Sequence, residues 1–140
     1  MQRMCRRPVA IALLAMLFVI PMQCGAYAAQ AKVGGIYSDL HYNEDGGDLL
    51  GTELFIVATE DGWAVFYQHW EGGGDKPIVV PATVQDGRLS FDIPDSYSGG
   101  GEYEGVVTAA GFEGTIHYRD SDGAAHDQPI KLKRTKSYWE

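Results

Sequence analysis

Cysteine is nearly missing from this chain. It has two, Cys5 and Cys24, both within the first 24 of 140 residues. Neither a disulfide nor a cysteine-type zinc site can therefore brace the rest, which must be held by its own apolar core. Basic residues are also scarce, 11 Lys and Arg against 19 Asp and Glu. Nucleic-acid binders displace counterions with a basic face, so this balance argues against that class of partner. Long apolar runs are absent too. The longest, Val9 to Ile20, is about 12 residues and falls short of the ~20 that a membrane-spanning helix needs, which excludes stable membrane insertion by that route. Past it, no stretch carries a convincing helical period.

What is present begins with a leader. Arg3, Arg6 and Arg7 precede the apolar run, and Gly25, Ala26, Ala28 and Ala29 follow it, the three-part pattern of a secretory signal peptide. The expected cut follows Ala28, within Ala26-Tyr27-Ala28. Cys24 is not read as a lipidation site, since Gln23 stands where a small residue is required. The chain thus divides into a leader, 1–28, and a single domain, 29–140, placed in the periplasm or secreted. Cleavage removes three arginines and no acid, leaving eight basic residues against 19 acidic ones, a net charge of −11. The acid is uneven, because Lys131, Lys133, Arg134 and Lys136 crowd the end of the chain. That asymmetry fits a basic strand guarding a sheet edge beside acidic neighbours.

The domain reads as strands and turns. Gly35 to Tyr42, Leu50 to Thr59, Trp63 to Trp70 and Ile78 to Val84 are the first four strands, with Asp61-Gly62 and the Glu71 to Asp75 segment as turns. Pro81 lacks an amide hydrogen, which places it at an edge or a bulge. Asp86-Gly87 signals a tight hairpin, after which Leu89, Phe91 and Ile93 alternate on one face. Tyr103-Glu104-Gly105-Val106-Val107 and Phe112-Glu113-Gly114-Thr115-Ile116 repeat an aromatic-Glu-Gly pattern nine residues apart, the spacing of two strands in a hairpin whose glycines allow close approach. Ile130 to Arg134 is the eighth strand. The expected fold is all-β, an antiparallel meander of about eight strands forming a small barrel or a barrel-like sandwich.

Reactive chemistry is hard to find. There is no Gly-x-Ser-x-Gly motif, and Ser98 has no histidine near it in sequence. Asp120-Ser121-Asp122-Gly123 starts like a calcium loop but lacks the later Gly and Glu, so it reads as a turn. His41, His69, His117 and His126 fall on different elements without zinc-site spacing. No catalytic residue, metal or cofactor is assigned, and the protein is read as a non-enzymatic module. Its acidity suits a basic protein partner in the cell envelope, met through Asp95, Tyr97, Ser98, Glu102, Tyr103 and Glu104, with the acidic loop Asn43 to Asp48 beside them. The alternative is a carrier of a small apolar ligand inside a barrel, lined by Trp63, Phe66, Tyr67 and Trp70. The sequence leaves the oligomeric state open.

Two resemblances bear on this. The ending Leu132-Lys133-Arg134-Thr135-Lys136-Ser137-Tyr138-Trp139 resembles that of a group of small exported bacterial proteins of unknown function, which implies no activity. Ser98-Gly99-Gly100-Gly101-Glu102-Tyr103 is similar to the inhibitory loop of periplasmic inhibitors of C-type lysozymes, though one residue longer and without that family's Trp-x-Lys-Gly segment and cysteines. It implies a β-barrel that neutralises a wall-degrading enzyme or toxin.

Overall fold

The computed structural model describes residues 32–74 and 76–139. The expected leader 1–28, its expected cleavage point and Cys24 lie outside the described residues, as does Asp75. Ten strands form one antiparallel sheet: β1 (Gly35–Ser38), β2 (His41–Asn43), β3 (Asp48–Thr59), β4 (Gly62–Glu71), β5 (Gly73–Gly74), β6 (Ile78–Gln85), β7 (Arg88–Ile93), β8 (Gly101–Val107), β9 (Gly111–Arg119) and β10 (Ala125–Thr135). Eight close into an up-and-down barrel in the order β1-β3-β4-β6-β7-β8-β9-β10, and β10 returns to β1. β2 extends the β3 edge and β5 the β4 edge. Closure decides the question that the sequence left open, barrel against sandwich.

Inside and outside follow from the two-residue strand period. β8 alternates without exception: Gly101, Tyr103, Gly105 and Val107 are buried while Glu102, Glu104 and Val106 face out. The buried set Tyr37, Leu54, Tyr67, Tyr103, Phe112 and Leu132 meets in one core with Ile56, Val65, Leu89 and Phe91. Tyr103 stacks on Phe91 at 4.8 Å and meets Tyr67 edge-on at 5.8 Å. An eight-stranded barrel has room for little more than its own side chains, and these fill it.

Local chemistry sets the joints. Asp86 and Gly87 both adopt positive φ, 51° and 80°, the two-residue turn that matches strand twist. Pro81 lies where β6 is paired with β4 but not yet with β7, whose ladder starts at Ala82. The Glu71 to Asp75 segment, expected to be wholly irregular, contains the short β5, because Gly73 and Gly74 pair with Glu71 and Trp70. Glycine suits this segment, since Gly72 adopts φ 84° and a Cβ on Gly74 would lie 2.6 Å from the Trp70 ring, which would have to shift.

The two ends differ. At the base, tight turns join the strands and residues 32–34 cross beneath them. Arg134 donates to the carbonyls of Gly34 (3.2 Å) and Lys32 and to the Tyr37 hydroxyl, while Tyr37 donates to Val33 O at 2.5 Å. Burial pushes the Tyr37 hydroxyl pKa up, and nearby Arg134 partly offsets this. Lys133 and Arg134 do not guard an edge, because β10 is paired with β1 at this height. At the opposite end, the mouth, longer connections gather: 39–47, 72–77, 94–100 and 120–124.

Candidate functional site at the barrel mouth

The connection 94–100 folds over the mouth and is tied to the core from below. Tyr67 and Tyr103 are buried, and their hydroxyls lie 3.1 Å apart. Tyr67 donates to Ser98 O at 2.9 Å and Tyr103 to Gly99 O at 2.7 Å. Inside the loop, Tyr97 N donates to Pro94 O and Gly100 N to Tyr97 O, closing two successive turns. A loop as rich in glycine as this one is costly to order, and two buried donors offset that cost. Burial raises the Tyr103 pKa chiefly, the adjoining Tyr67 hydroxyl opposes it, and the Asp39 charge adds to it. The hydroxyl thus stays protonated as a donor.

Next to this loop is a cavity of about 290 Å³ lined by Asp39, Thr52, His69, Glu71, Gly99, Tyr103, Ile116 and the β10 residues Gln128 to Lys131. His69 Nδ1 is 2.8 Å from Thr52 Oγ1, and its Nε2 is 3.9 Å from Glu71. A second hollow of about 360 Å³, lined by Asp95, Tyr97, Gly100, Tyr118 and Arg119, shares Glu71, Gly99, Ile116 and Gln128 with the first.

Of the six residues expected to meet a partner, four border the mouth: Asp95 is exposed, Tyr97 and Ser98 are half-buried in the loop, and Glu102 faces out from the start of β8, whereas Glu104 faces out from the middle of that strand, opposite Ser90 and Thr115. Tyr103 is the correction. It is fully buried in the core, because β8 starts at Gly101 and strand parity turns residue 103 inward. It acts through the loop it anchors. The four residues expected to line a ligand chamber do not share a face. Tyr67 is buried in the core and Trp63 packs against it, whereas Phe66 is 37% exposed and paired outside with Phe55, and Trp70 lies under Trp139 on the outer wall. An eight-residue aromatic run on one strand must split between its two surfaces.

The histidines also separate. His41 contacts Asp39 O at 2.9 Å, while Asp120 uses its carboxylate on the amides of Asp122 and Ala124 and on His126, as a turn does. These contacts hold the Asp120 carboxyl below its usual pKa, the His126 bond contributing most. His117 sits outside on β9, 2.7 Å from Asp127 and opposite Glu102. Its pKa is raised above the ordinary 6.5, first by the hydrogen bond to Asp127 and then, against an opposing desolvation, by the charges of Asp127, Glu104 and Glu102. A group whose folded pKa is raised contributes stability that is complete below its unfolded pKa and is lost as pH rises through the folded one. An NMR titration of His117 should give a midpoint above 6.5, and Asp127→Asn should bring it down. An unchanged midpoint in the variant would remove Asp127 as the cause.

Charge divides along the barrel axis. Asp39, Glu44, Asp45, Asp48, Glu71, Asp95, Asp120 and Asp122 all belong to the mouth connections or their margins, with Asp92, Glu102 and Asp127 on the strand ends below. Lys76, Arg119 and the cavity-lining Lys131 are the described cations near that end; Arg119 is engaged with Gly123 O at 3.0 Å and Lys131 with Glu113 at 2.6 Å. Lys32, Arg88, Lys133, Arg134 and Lys136 lie toward the base, where Glu60, Asp61 and Asp86 in the tight turns offset part of their charge. The sequence hinted at this asymmetry, but only strand direction shows that loops distant along the chain share one rim. No protein-family model, curated protein or solved structure matches the chain.

Proposed function

We propose that the protein is a non-enzymatic binding module of the periplasm or the secreted fraction whose acidic mouth captures a basic protein, such as a wall-degrading enzyme or a toxin. The observation that carries this reading is the collection of carboxylates around one end of a barrel whose other end is plugged and of mixed charge. A one-signed rim steers an oppositely charged partner and raises its encounter rate. The tethered loop 94–100 offers a preformed surface, which lowers the entropy lost on binding. The carrier reading has less behind it, since the interior is occupied by aromatic and aliphatic side chains and Phe66 and Trp70 lie outside it.

Surface plasmon resonance against a basic C-type lysozyme and a lysine-rich peptide tests the idea. Association should slow as salt rises, because charges separated by more than ~8 Å are screened at physiological ionic strength. The triple change Glu71→Gln, Asp95→Asn, Glu102→Gln should lower the on-rate about tenfold at low salt and alter the off-rate less. Salt-independent binding, or an on-rate unmoved by the triple change, would overturn the reading.

A further inference from the structure

The barrel wall is not zipped over its full height. β10 runs from Ala125 to Thr135, yet β1 pairs with it only at Lys133, Arg134 and Thr135. Among the described strands, residues 125–131 pair with β9 alone. Across the gap the chain turns away at Asp39. Its N–H donates to Thr52 O at 3.1 Å and its carboxylate accepts Thr52 N at 2.6 Å, so that the chain continues as β2 along β3 and leaves β10. Gly51, at φ 113°, permits this, as a Cβ there would stand 2.8 Å from Asp39 O. What remains is a slot beside β10, and the cavity of about 290 Å³ lies in it, with Gln128 to Lys131 on one side and Asp39, Gly51 and Thr52 on the other.

We propose that this slot takes an extended lysine- or arginine-bearing segment by strand addition along residues 125–131 of β10, one cationic side chain entering the cavity between Asp39 and Glu71. The proposal rests on the basic-partner reading above and names the part of the partner that is recognised. An edge with unpaired backbone groups is a template for another strand, and residues 125–131 supply both amide hydrogens and carbonyls except at Pro129, which offers its carbonyl alone. The cavity lies at or below the lower end of the roughly 300–1,000 Å³ usual for small-molecule pockets, a size that fits one long side chain better than a whole ligand. Its rim carries Asp39 and Glu71, and the lining cation Lys131 is engaged with Glu113 at 2.6 Å. A second copy of this chain is the poorer occupant, since it would bring its own acidic rim against this one.

The test uses the barrel protein and three forms of one alternating Lys-Thr decapeptide: unmodified, N-methylated at odd backbone positions, and N-methylated at even ones. Methylation keeps the charge and removes the donors that strand pairing needs. The unmodified peptide should slow amide exchange within residues 126–131, and at least one methylated isomer should bind about tenfold more weakly, the loss of one or two backbone hydrogen bonds. Equal affinity for all three peptides, with unchanged exchange at 126–131, would overturn strand addition and leave the acidic-rim reading standing. No binding of any peptide at low salt would remove both. Protection of the same amides on concentrating the protein alone would assign the edge to a second copy and overturn the proposal.

Discussion

Replacing Gly114 by valine should lower the unfolding free energy by about 3 kcal/mol and the thermal midpoint by on the order of 15 °C, the upper range for overpacking in a domain of this size. Gly105 and Gly114 stand directly opposite each other in the β8–β9 ladder. A Cβ on Gly114 would lie 2.7 Å from Gly105 Cα and closer still to the Glu104 carbonyl oxygen. Both neighbours are backbone, so no rotamer change relieves the contact and the strands must part. Gly105 has a further role: the Phe112 ring fills the place of its missing side chain, 2.6 Å from where a Cβ would stand. The glycine pair thus lets an aromatic ring lie against the inner wall, a device for bending a closed sheet. Differential scanning calorimetry of Gly114→Val beside Thr115→Val is the check. The neighbouring change should stay within about 0.5 kcal/mol, because Thr115 is on the other strand face. Equal midpoints for both variants would show that the close approach does not constrain the barrel.

That pair was legible in the sequence, since a motif repeated nine residues apart around a short turn places its glycines opposite each other. Asp86-Gly87 was legible for the same reason: its chemistry is local. Tyr103 was misplaced through inattention to parity. If Glu102 and Glu104 share the solvent face, the residue between them points inward, and the two-residue period alone would have put it in the core. The barrel's closure and the slot were another matter. β1 meets β10 across nearly the whole chain, at pairs such as Tyr37 with Arg134, and no local pattern states where that pairing stops. The one cue was Gly51 within a β-branched and aliphatic strand, a position where another backbone approaches. The acidic mouth was half visible: charge content is a property of composition, but its collection at one end depends on strand direction.

Polarity along the axis connects the fold to the proposed function. Arg134 and residues 32–34 seal the base with hydrogen bonds, so stability is concentrated where no partner is proposed to bind. At the mouth, Tyr67 and Tyr103 reach out of the same core to hold the loop. The strands thus supply rigidity and the rim supplies charge. A partner then meets an ordered surface at low cost in conformational entropy.

Truncation after Lys136 should cost about 2 kcal/mol and lower the denaturant midpoint. The tail folds back along the outer wall over β3 and β4. Ser137 donates to Glu53 Oε1 at 2.7 Å, Tyr138 N to Glu53 Oε2 at 2.9 Å and Trp139 Nε1 to Gln68 Oε1 at 3.3 Å. The Trp139 ring lies 5.8 Å from Trp70. The tail aromatics pack on the barrel wall, but the rings are only partly covered, Trp139 being 54% exposed and Tyr138 41%. The apolar contribution is therefore well short of the roughly 2–3 kcal/mol of a fully buried ring. Glu53 makes up the difference. It is 6% exposed, and hydrogen bonds to a charged group are each worth about 1.5–3 kcal/mol, part of which water returns once the tail is gone. A double-mutant cycle separates the two contributions. In a Glu53→Ala background, truncation should cost less than half of what it costs in the parent, because the anchor has already been removed. Additive costs would show that Glu53 does not hold the tail. Unaltered stability with lost binding to a basic protein would make Tyr138 and Trp139 the recognition element and move the site from the mouth to the outer wall.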